Sequence, residues 1–161
     1  IVKPPPLLTV AERAKLFGGK WDAATLGIAV GKPASASATT GGYDPARAVD
    51  GDAANLPSSW QADPYPQWWQ VDLGKAVSVN RIHVFPYWGL NRSYQYTVEA
   101  SADGTAWQRV ADLSENAEPA TPAGNDFRFQ PVAMRFVRVN MLKHSLNAGV
   151  HLVEVRVFPA K

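Results

Sequence analysis

The chain has 161 residues, of which 46% are hydrophobic and 19% charged, a composition typical of one soluble globular domain rather than of a disordered or membrane-spanning protein. Its 16 basic and 14 acidic side chains leave a formal charge of +2, and the basic ones are scattered, which argues against a nucleic-acid partner because such a partner favours a basic stripe. There is no cysteine, which excludes disulfide bonds and thiolate metal sites but leaves the cellular compartment open.

The N-terminal residues are typical of a linker followed by a short helix. Three prolines at 4–6 cannot join a helix or a central strand, and they favour an extended spacer. Thr9 followed three residues later by Glu12 has the form of a capping box. The sequence therefore predicts a helix over residues 10–17, which ends at the two glycines that follow.

From about residue 28 the pattern changes to short apolar alternations separated by Gly, Pro, Asn and Asp, as in a β-sandwich or barrel. Residues 94–100 and 152–158 alternate with period two, which indicates half-buried antiparallel strands. In the first of these strands the face expected to meet solvent carries Gln95, Thr97 and Glu99. Asp103 and Gly104 have the turn chemistry of a tight hairpin.

These segments give a plan for the whole chain. We expect a linker with a short helix over residues 1–27 and a single domain over 28–161. Because the chain begins at Ile1 with neither Met nor a signal-peptide pattern, we also expect it to be a piece of a longer precursor.

The sequence carries no familiar catalytic motif. The nucleophile elbow, the phosphate-binding loop and the dinucleotide-binding glycine pattern are all absent from it. The histidines at 83, 144 and 151 do not form a zinc pair. A glycosidase needs only two facing carboxylates, but Asp50 and Asp52 are too close in sequence to flank a scissile bond. We therefore expect a binding domain rather than an enzyme.

One acidic segment has the spacing of a calcium site. Asp50, Asp52 and Asn55 lie at relative positions 0, +2 and +5. Calcium accepts six to eight carboxylate and carbonyl oxygens in flexible geometry, so this spacing suits it. On these residues alone, an acidic surface turn is the alternative interpretation.

Aromatic residues are abundant, with six Trp and five Tyr. Four of the tryptophans lie in or beside predicted strands and are expected to pack in the core, namely Trp60, Trp68, Trp69 and Trp107. The segment 87–92 differs, because a glycine-bearing loop there carries rings, an amide and a guanidinium together.

This loop has both kinds of group that a sugar needs. A sugar ring rests its C–H face on an aromatic plane, and its hydroxyls bond planar donors and acceptors. Trp88, Asn91 and Arg92 supply both, and a second polar loop over residues 144–147 could converge on them. The alternative is a surface loop whose aromatic side chains only cap the core.

Five blocks in a fixed order give the chain a family resemblance. It resembles the factor V/VIII type C, or discoidin, family over roughly residues 30–158. The blocks are AVDG at 48–51, QWWQVDLG at 67–74, VEASADG at 98–104 with Trp107, MRFVRV at 134–139 and VEV at 153–155. The resemblance implies an all-β fold, an antiparallel eight-stranded jelly-roll β-sandwich of the galactose-binding-domain-like type, here with a short N-terminal helix.

The resemblance also implies a structural calcium ion. In the family such an ion commonly braces the sandwich beside the first block and the last strand. Carried onto this chain, the side chains would be those of Asp50, Asp52 and Glu154, with backbone oxygens near Arg47 and Val153. The family usually has a Thr shortly before a Trp in this region, and here either Asn55 or Ser58 takes that place.

The function implied is sugar binding. Many bacterial members are carbohydrate-binding modules of family 32, attached to secreted glycan-degrading enzymes. By position, the ligand residues would be Tyr87, Trp88, Asn91, Arg92, His144 and Asn147. We therefore expect a non-catalytic, secreted or cell-surface module whose partners are a polysaccharide and the other domains of its parent protein.

Three other functions stay open at this stage. Other discoidin domains bind proteins or phospholipid through exposed apolar loop tips, for which Leu56 and Leu90 are the candidates here. Neither leucine has a dense basic surround, so membrane binding is not the favoured interpretation. A catalytic sandwich and a purely structural spacer are the remaining two.

Overall fold

A computed structural model describes residues 4–19 and 21–161. The first three residues of the predicted linker lie outside this description. The described part of the chain holds two short α-helices, one 3₁₀ helix and seven strands. In chain order they are α1 (Val10–Phe17), α2 (Ala23–Leu26), β1 (Ala34–Ala36), the 3₁₀ helix Pro45–Val49, β2 (Trp60–Ala62), β3 (Gln67–Pro86), β4 (Tyr94–Ser101), β5 (Gln108–Leu113), β6 (Asn125–His144) and β7 (Val150–Pro159).

Helix α1 confirms the prediction from the capping box. The Thr9 hydroxyl accepts a hydrogen bond from the Glu12 backbone N–H (3.2 Å), and the Glu12 carboxylate accepts one from the Thr9 backbone N–H (2.7 Å). The helix ends where Gly18 donates its N–H to the Ala14 carbonyl (3.0 Å). None of the described helices has the length and apolar character that a membrane span requires.

Strands β3 and β6 determine the architecture because each is 20 residues long. A straight strand of that length would extend about 66 Å, whereas a domain of this size has a radius of gyration of about 15 Å. The pair therefore bends, and the bend lies where the register shifts between Asp72 and Val77 of β3. Beyond this corner the two strands pair again, in the opposite layer.

The bend divides the antiparallel strands into two layers. One layer contains β5, β4, the second half of β6, the first half of β3 and β1. The other contains the first half of β6, the second half of β3, β7 and β2. The predicted all-β antiparallel sandwich is confirmed. The described residues form seven strands rather than the predicted eight, and β3 and β6 each run through the corner as one strand.

The core lies between these layers. Trp60 and Trp69 are fully buried in it, as predicted, and each indole N–H donates to a loop carbonyl, of Ala38 and Pro45 respectively. The same prediction was wrong for Trp68 and Trp107, which are only half-buried because they lie under the Arg138 guanidinium outside the core. The predicted apolar face of β4 is buried too. Thr97 on the opposite face was expected to meet solvent, but it is buried because the Asn140 amide covers it and donates to its hydroxyl (3.3 Å).

The predicted hairpin is confirmed as the β4–β5 pair, but its connection is longer than a tight turn. Residues 102–107 separate the two strands. The Asp103 carboxylate accepts hydrogen bonds from the backbone of Thr105 and Ala106, and the Ser101 hydroxyl accepts one from Gly104. These side-chain bonds satisfy the backbone of a wide loop, so a two-residue turn is not required.

Candidate functional site

The predicted calcium ligands lie in the loop that follows the 3₁₀ helix and on the neighbouring strand β7. Asp50 is buried and accepts hydrogen bonds from the Ser58 hydroxyl (2.6 Å) and the Asp52 N–H (2.9 Å). Of the two residues considered for the Thr position, Ser58 is the one that bonds Asp50, whereas Asn55 contributes its backbone carbonyl to the Ser58 N–H (2.9 Å). Glu154 is also buried.

A cation from the N-terminal helix enters this cluster. Arg13 donates from Nη2 to Asp50 Oδ2 (2.7 Å) and from Nη1 to Asp52 Oδ2 (2.7 Å), and Nη2 also reaches the Ser58 hydroxyl (3.3 Å). The side chains of Arg13 and Asp50 are each only 1% exposed. We call the group formed by Arg13, Asp50, Asp52 and Ser58 the Arg13 cluster.

Burial dominates the electrostatics of these carboxyl groups. It raises the pKa of Asp50 to about 6, although bonds from Ser58 and Asp52 and the charge of Arg13 act in the opposite direction. Burial also raises the pKa of Glu154 well above its usual value, with help from the charge of Asp50. The charge of Arg156 lowers the pKa of Glu154, so a second guanidinium acts on the buried carboxyl groups.

For Arg47 and Val153 the prediction concerns backbone oxygens, and their side chains lie outside the cluster. Arg47 donates from Nε to the Gly42 carbonyl (2.9 Å), and Val153 is a buried apolar residue of β7. Within residues 4–19 and 21–161, no group of three or more His, Asp and Glu side chains is arranged to hold a metal ion. Arg13 therefore fills the positions beside Asp50 and Asp52 that the predicted calcium ion would need.

The two polar loops meet at one rim of the sandwich, as the sequence suggested. The Ser145 N–H donates to the Ser93 carbonyl (3.0 Å), and the Ser93 N–H donates to the Ser145 hydroxyl (2.8 Å). The loop after β3 and the loop after β6 are thereby held side by side.

A cluster of rings lies beneath this junction. His144 stacks on Tyr94 with ring centroids 4.4 Å apart, and the Tyr94 hydroxyl bonds His151 Nδ1 (2.7 Å). The Tyr87 ring lies 5.6 Å from that of His151, and the Arg92 guanidinium lies over Tyr87 at 4.8 Å. Burial lowers the pKa of His151 to about 4 and also lowers that of His144, so it favours the neutral form of both rings.

The hydrogen bonds of Asn147 orient the His144 ring. Asn147 Oδ1 accepts from the Gly149 N–H (2.8 Å) and lies 3.1 Å from His144 Nδ1. This network assigns the His144 proton to Nδ1, since Oδ1 can only accept. Four of the six predicted ligand residues are therefore brought together around this rim, namely Tyr87, Arg92, His144 and Asn147.

His144 and Asn147 line a groove of about 490 Å³, which we call the histidine groove. Its other lining side chains are mostly polar and include Tyr65, Ser93, Gln95, Asn116 and Lys143. Sequence reasoning missed the supporting role of Tyr94 and His151. The position of His151, directly after the loop that His144 begins, is the feature that could have placed both histidines at one rim.

Trp88 lines a different groove, of about 280 Å³, which we call the tryptophan groove. There it is accompanied by Trp21, Asp52 and Arg156. The Arg156 Nη2 donates to the Gly51 carbonyl (3.3 Å). Trp21 belongs to the N-terminal segment, and no sequence pattern places that segment beside Trp88.

Of the two leucines proposed from the sequence as loop tips, one is exposed and the other is not. Leu90, at the tip of the loop after β3, is 79% exposed, and Leu146 on the adjoining loop is 49% exposed. Leu56, the other leucine proposed from sequence as a tip, is half-buried.

Comparison with known families agrees with this geometry. A family model for the F5/8 type C domain matches residues 33–155. A comparison with curated proteins gave no match.

Solved structures of sugar-binding domains are similar to the chain. One is the CBM32 of AlyQ in complex with 4,5-unsaturated mannuronic acid, with 26% identity, a TM-score of 0.68 and coverage of 80% of this chain and 95% of that one. Another is chitosan-binding module 2, with chitotriose, from a chitosanase/glucanase of Paenibacillus sp. IK-5, with 27% identity, a TM-score of 0.66 and coverage of 81% and 98%. Both are carbohydrate-binding modules.

A third similar structure is much longer than this chain. It is a family 89 glycoside hydrolase from Clostridium perfringens, with 26% identity and a TM-score of 0.72. The match covers 83% of this chain but only 14% of the hydrolase.

Proposed function

This chain belongs to the F5/8 type C domain family, and from this we propose that it is a non-catalytic carbohydrate-binding module that holds a larger secreted, glycan-active enzyme on its polysaccharide. The observation that carries the proposal is the junction of the two loops, which brings Arg92, His144 and Asn147 to one rim beside aromatic rings. A guanidinium and an amide are planar groups that suit sugar hydroxyls. His144, predicted as a ligand, is only 3% exposed, so its ring acts by positioning Asn147.

The tryptophan groove, which Trp88 lines, and the histidine groove, which Ser93 lines, offer different kinds of group to a sugar. In the tryptophan groove, Trp88 and Trp21 offer apolar faces for a sugar ring, with Asp52 and Arg156 as polar partners. In the histidine groove, Asn147 and Lys143 offer hydrogen bonds to hydroxyl or carboxylate groups. Asn91, in the left-handed backbone region at φ 54° near the loop tip, completes the proposed ligand set.

The arrangement of the carboxyl groups supports a non-catalytic role. Asp50 and Asp52, the acidic pair that the sequence singled out, are both bonded to Arg13, and Asp50 is buried. A hydrolase would need a pair of carboxyl groups facing a substrate across a cleft.

We expect the affinity to be modest, because open grooves order few groups of the ligand. Binding in the micromolar to millimolar range corresponds to roughly −4 to −8 kcal/mol. Such affinity is sufficient for a module whose partners are the repeating units of a polysaccharide and the other domains of its parent protein.

Affinity gel electrophoresis tests the proposal. The chain is run through gels that contain alginate or chitosan, the polymers related to the sugars in the similar structures. We expect retardation of the wild-type chain by at least one of them. Trp88→Ala and His144→Ala should each reduce the affinity about tenfold or more, a loss of about 1.4 kcal/mol.

Trp68→Ala is the matched control. Trp68 is also a partly exposed tryptophan, but it lies on the outer face of the sandwich, where the Arg138 guanidinium is 4.9 Å from its ring. Its substitution should leave the retardation unchanged. Wild-type retardation that neither Trp88→Ala nor His144→Ala reduces would remove both grooves from the binding site.

The exposure of Leu90 and Leu146 favours a second candidate function, adhesion to protein or phospholipid surfaces through these loops. Co-sedimentation with vesicles of phosphatidylcholine, with and without phosphatidylserine, separates the two functions. A module of the proposed kind stays in the supernatant, whereas a lipid-binding module sediments and loses this behaviour in Leu90→Ser.

A further inference from the structure

The Arg13 cluster carries an inference that goes beyond sugar binding and does not depend on it. Two of the three side chains that the family resemblance assigns to a structural metal ion belong to it, Asp50 and Asp52, and the Ser58 hydroxyl joins them. The third, Glu154, is buried on β7 and is not an ion-pair partner of Arg13. Asp50 Oδ2 and Asp52 Oδ2 each lie 2.7 Å from a guanidinium nitrogen of Arg13.

The guanidinium and a calcium ion exclude each other here. Calcium requires six to eight oxygens at about 2.3–2.6 Å, so it would have to occupy the space that the Arg13 nitrogens fill at 2.7 Å from the same atoms. The two cations would also repel each other in a site where the Arg13 side chain is only 1% exposed. One of them has to leave before the other binds.

The N-terminal helix α1 contributes the Arg13 side chain to the cluster. Arg13 is the buried residue of α1, whereas Leu16 and Phe17 are 63% and 65% exposed. Val10 and Ala14 of the helix are half-buried, so Arg13 is its one fully buried attachment to the body of the domain. Its capping box stabilises the turn from which Arg13 projects.

The geometry of the ion pairs also favours a guanidinium at this site. Arg13 forms ion pairs with Asp50 and Asp52 together, so each carboxylate has a hydrogen-bonded positive partner. The fork of a guanidinium matches two separate oxygen acceptors better than a single ammonium would.

We propose that the Arg13 guanidinium replaces the structural calcium ion of the family in this chain, so that the domain folds without a metal and its N-terminal helix is a fixed part of the sandwich. Arginine at this position performs two tasks that a metal ion would have: it places a positive charge against Asp50 and Asp52, and it holds the loop that follows the 3₁₀ helix against the body.

Thermal unfolding of the full chain tests this proposal without any sugar. The wild-type protein should have the same Tm in EDTA and in millimolar CaCl₂, and metal analysis of the purified protein should find no stoichiometric calcium. A wild-type Tm that falls on adding EDTA and recovers with CaCl₂ but not with MgCl₂ would overturn the proposal.

Arg13→Met gives the complementary result. Removal of one partner from a buried ion pair should lower the Tm in EDTA by about 10 °C. The vacated oxygens should then bind calcium, which should raise the Tm by about 5–10 °C at a free concentration about a hundredfold above its Kd. If the Tm of Arg13→Met in EDTA equals that of the wild type, the guanidinium does not stabilise the fold, and this result would contradict the proposal.

Arg109→Met is the matched control, because Arg109 also pairs with an aspartate, Asp112, but its side chain is 55% exposed. This variant should neither lose stability markedly nor gain a response to calcium. If Arg13→Met does not fold in EDTA, folding on addition of calcium would support the proposal, and the wild-type measurements in EDTA and CaCl₂ decide it in any other case.

Discussion

At the scale of single residues, two glycines separate the effect of backbone torsion from that of close packing. Gly27 and Gly31 have φ values of 78° and 71°, in the region that disfavours other residues. A Cβ at Gly27 would lie 2.3 Å from the Val157 carbonyl oxygen, whereas a Cβ at Gly31 would meet nothing within 4 Å. We predict that Gly27→Ala destabilises the domain by about 3 kcal/mol or more, because strain and a backbone clash add together.

Gly31→Ala serves as the control, and its cost should be about 1–2 kcal/mol, from torsional strain alone. Urea unfolding followed by tryptophan fluorescence measures both values. Equal losses in the two variants would mean that the contact between Gly27 and β7 does not constrain the fold.

At the scale of elements, the corner of β3 and β6 makes a two-layered sandwich out of one continuous pair of strands. Asp72 lies at the register shift, where it accepts two hydrogen bonds from Arg135 of β6 (2.9 and 3.0 Å) and one from the Gly74 N–H (2.8 Å). We predict that Asp72→Ala lowers the free energy of unfolding by about 1 kcal/mol, since the corner loses its cross-strand bonds but the pair is partly exposed.

Asp112→Ala is the comparison for this element. Asp112 likewise accepts from an arginine, Arg109, and from a following backbone N–H, that of Ser114, but both partners lie close in sequence. Its loss should shift the urea midpoint less than the loss of Asp72. A larger shift for Asp112→Ala would show that the corner is held by its backbone alone.

At the scale of the whole molecule, stability should depend on pH through groups whose pKa values shift on folding and whose effects on stability oppose each other. Burial lowers the pKa of His144 below its usual 6.5. The unfolded chain therefore binds a proton more readily, and the contribution of His144 to stability falls as the pH drops below about 6.5. The pKa of Asp50, raised to about 6, has the opposite effect, because the folded state then binds the proton more readily.

Comparing the stability of a His144 variant with that of the wild type separates the effect of His144 from that of Asp50. We predict that His144→Gln is less stable than the wild type at pH 7.5 and that this gap narrows as the pH is lowered to 5.5. Urea midpoints at several pH values measure it. The gap between Ser145→Ala and the wild type should stay constant, since Ser145 does not titrate, and a constant gap for His144→Gln would refute the assignment of a neutral buried ring.

Local features of the fold were predictable because they depend on neighbours in sequence. The capping box indicated where α1 begins, the glycines after it indicated where it ends, and period-two alternation indicated the core face of β4. The same alternation was wrong about Thr97, since its burial depends on Asn140, a residue of another strand.

The candidate site was only partly predictable for the same reason. Polar loops and their residue types could be read from the sequence, and so could the oxygen-rich spacing of Asp50 and Asp52. It could not be read that Trp88 lines a groove with Trp21, or that His144 stacks on Tyr94.

The sequence by itself determined that this chain is an antiparallel β-sandwich of the F5/8 type C family with a capped helix before it, because alternation, capping and ordered motifs act over a few residues. Only the tertiary structure decided which cation meets Asp50 and Asp52. Arg13 lies 37 residues before Asp50 in the chain, and its side chain reaches them because the packed sandwich brings α1 alongside. The charge and spacing of Asp50 and Asp52 explain why this site binds a cation, and the packing of distant segments explains why that cation is Arg13.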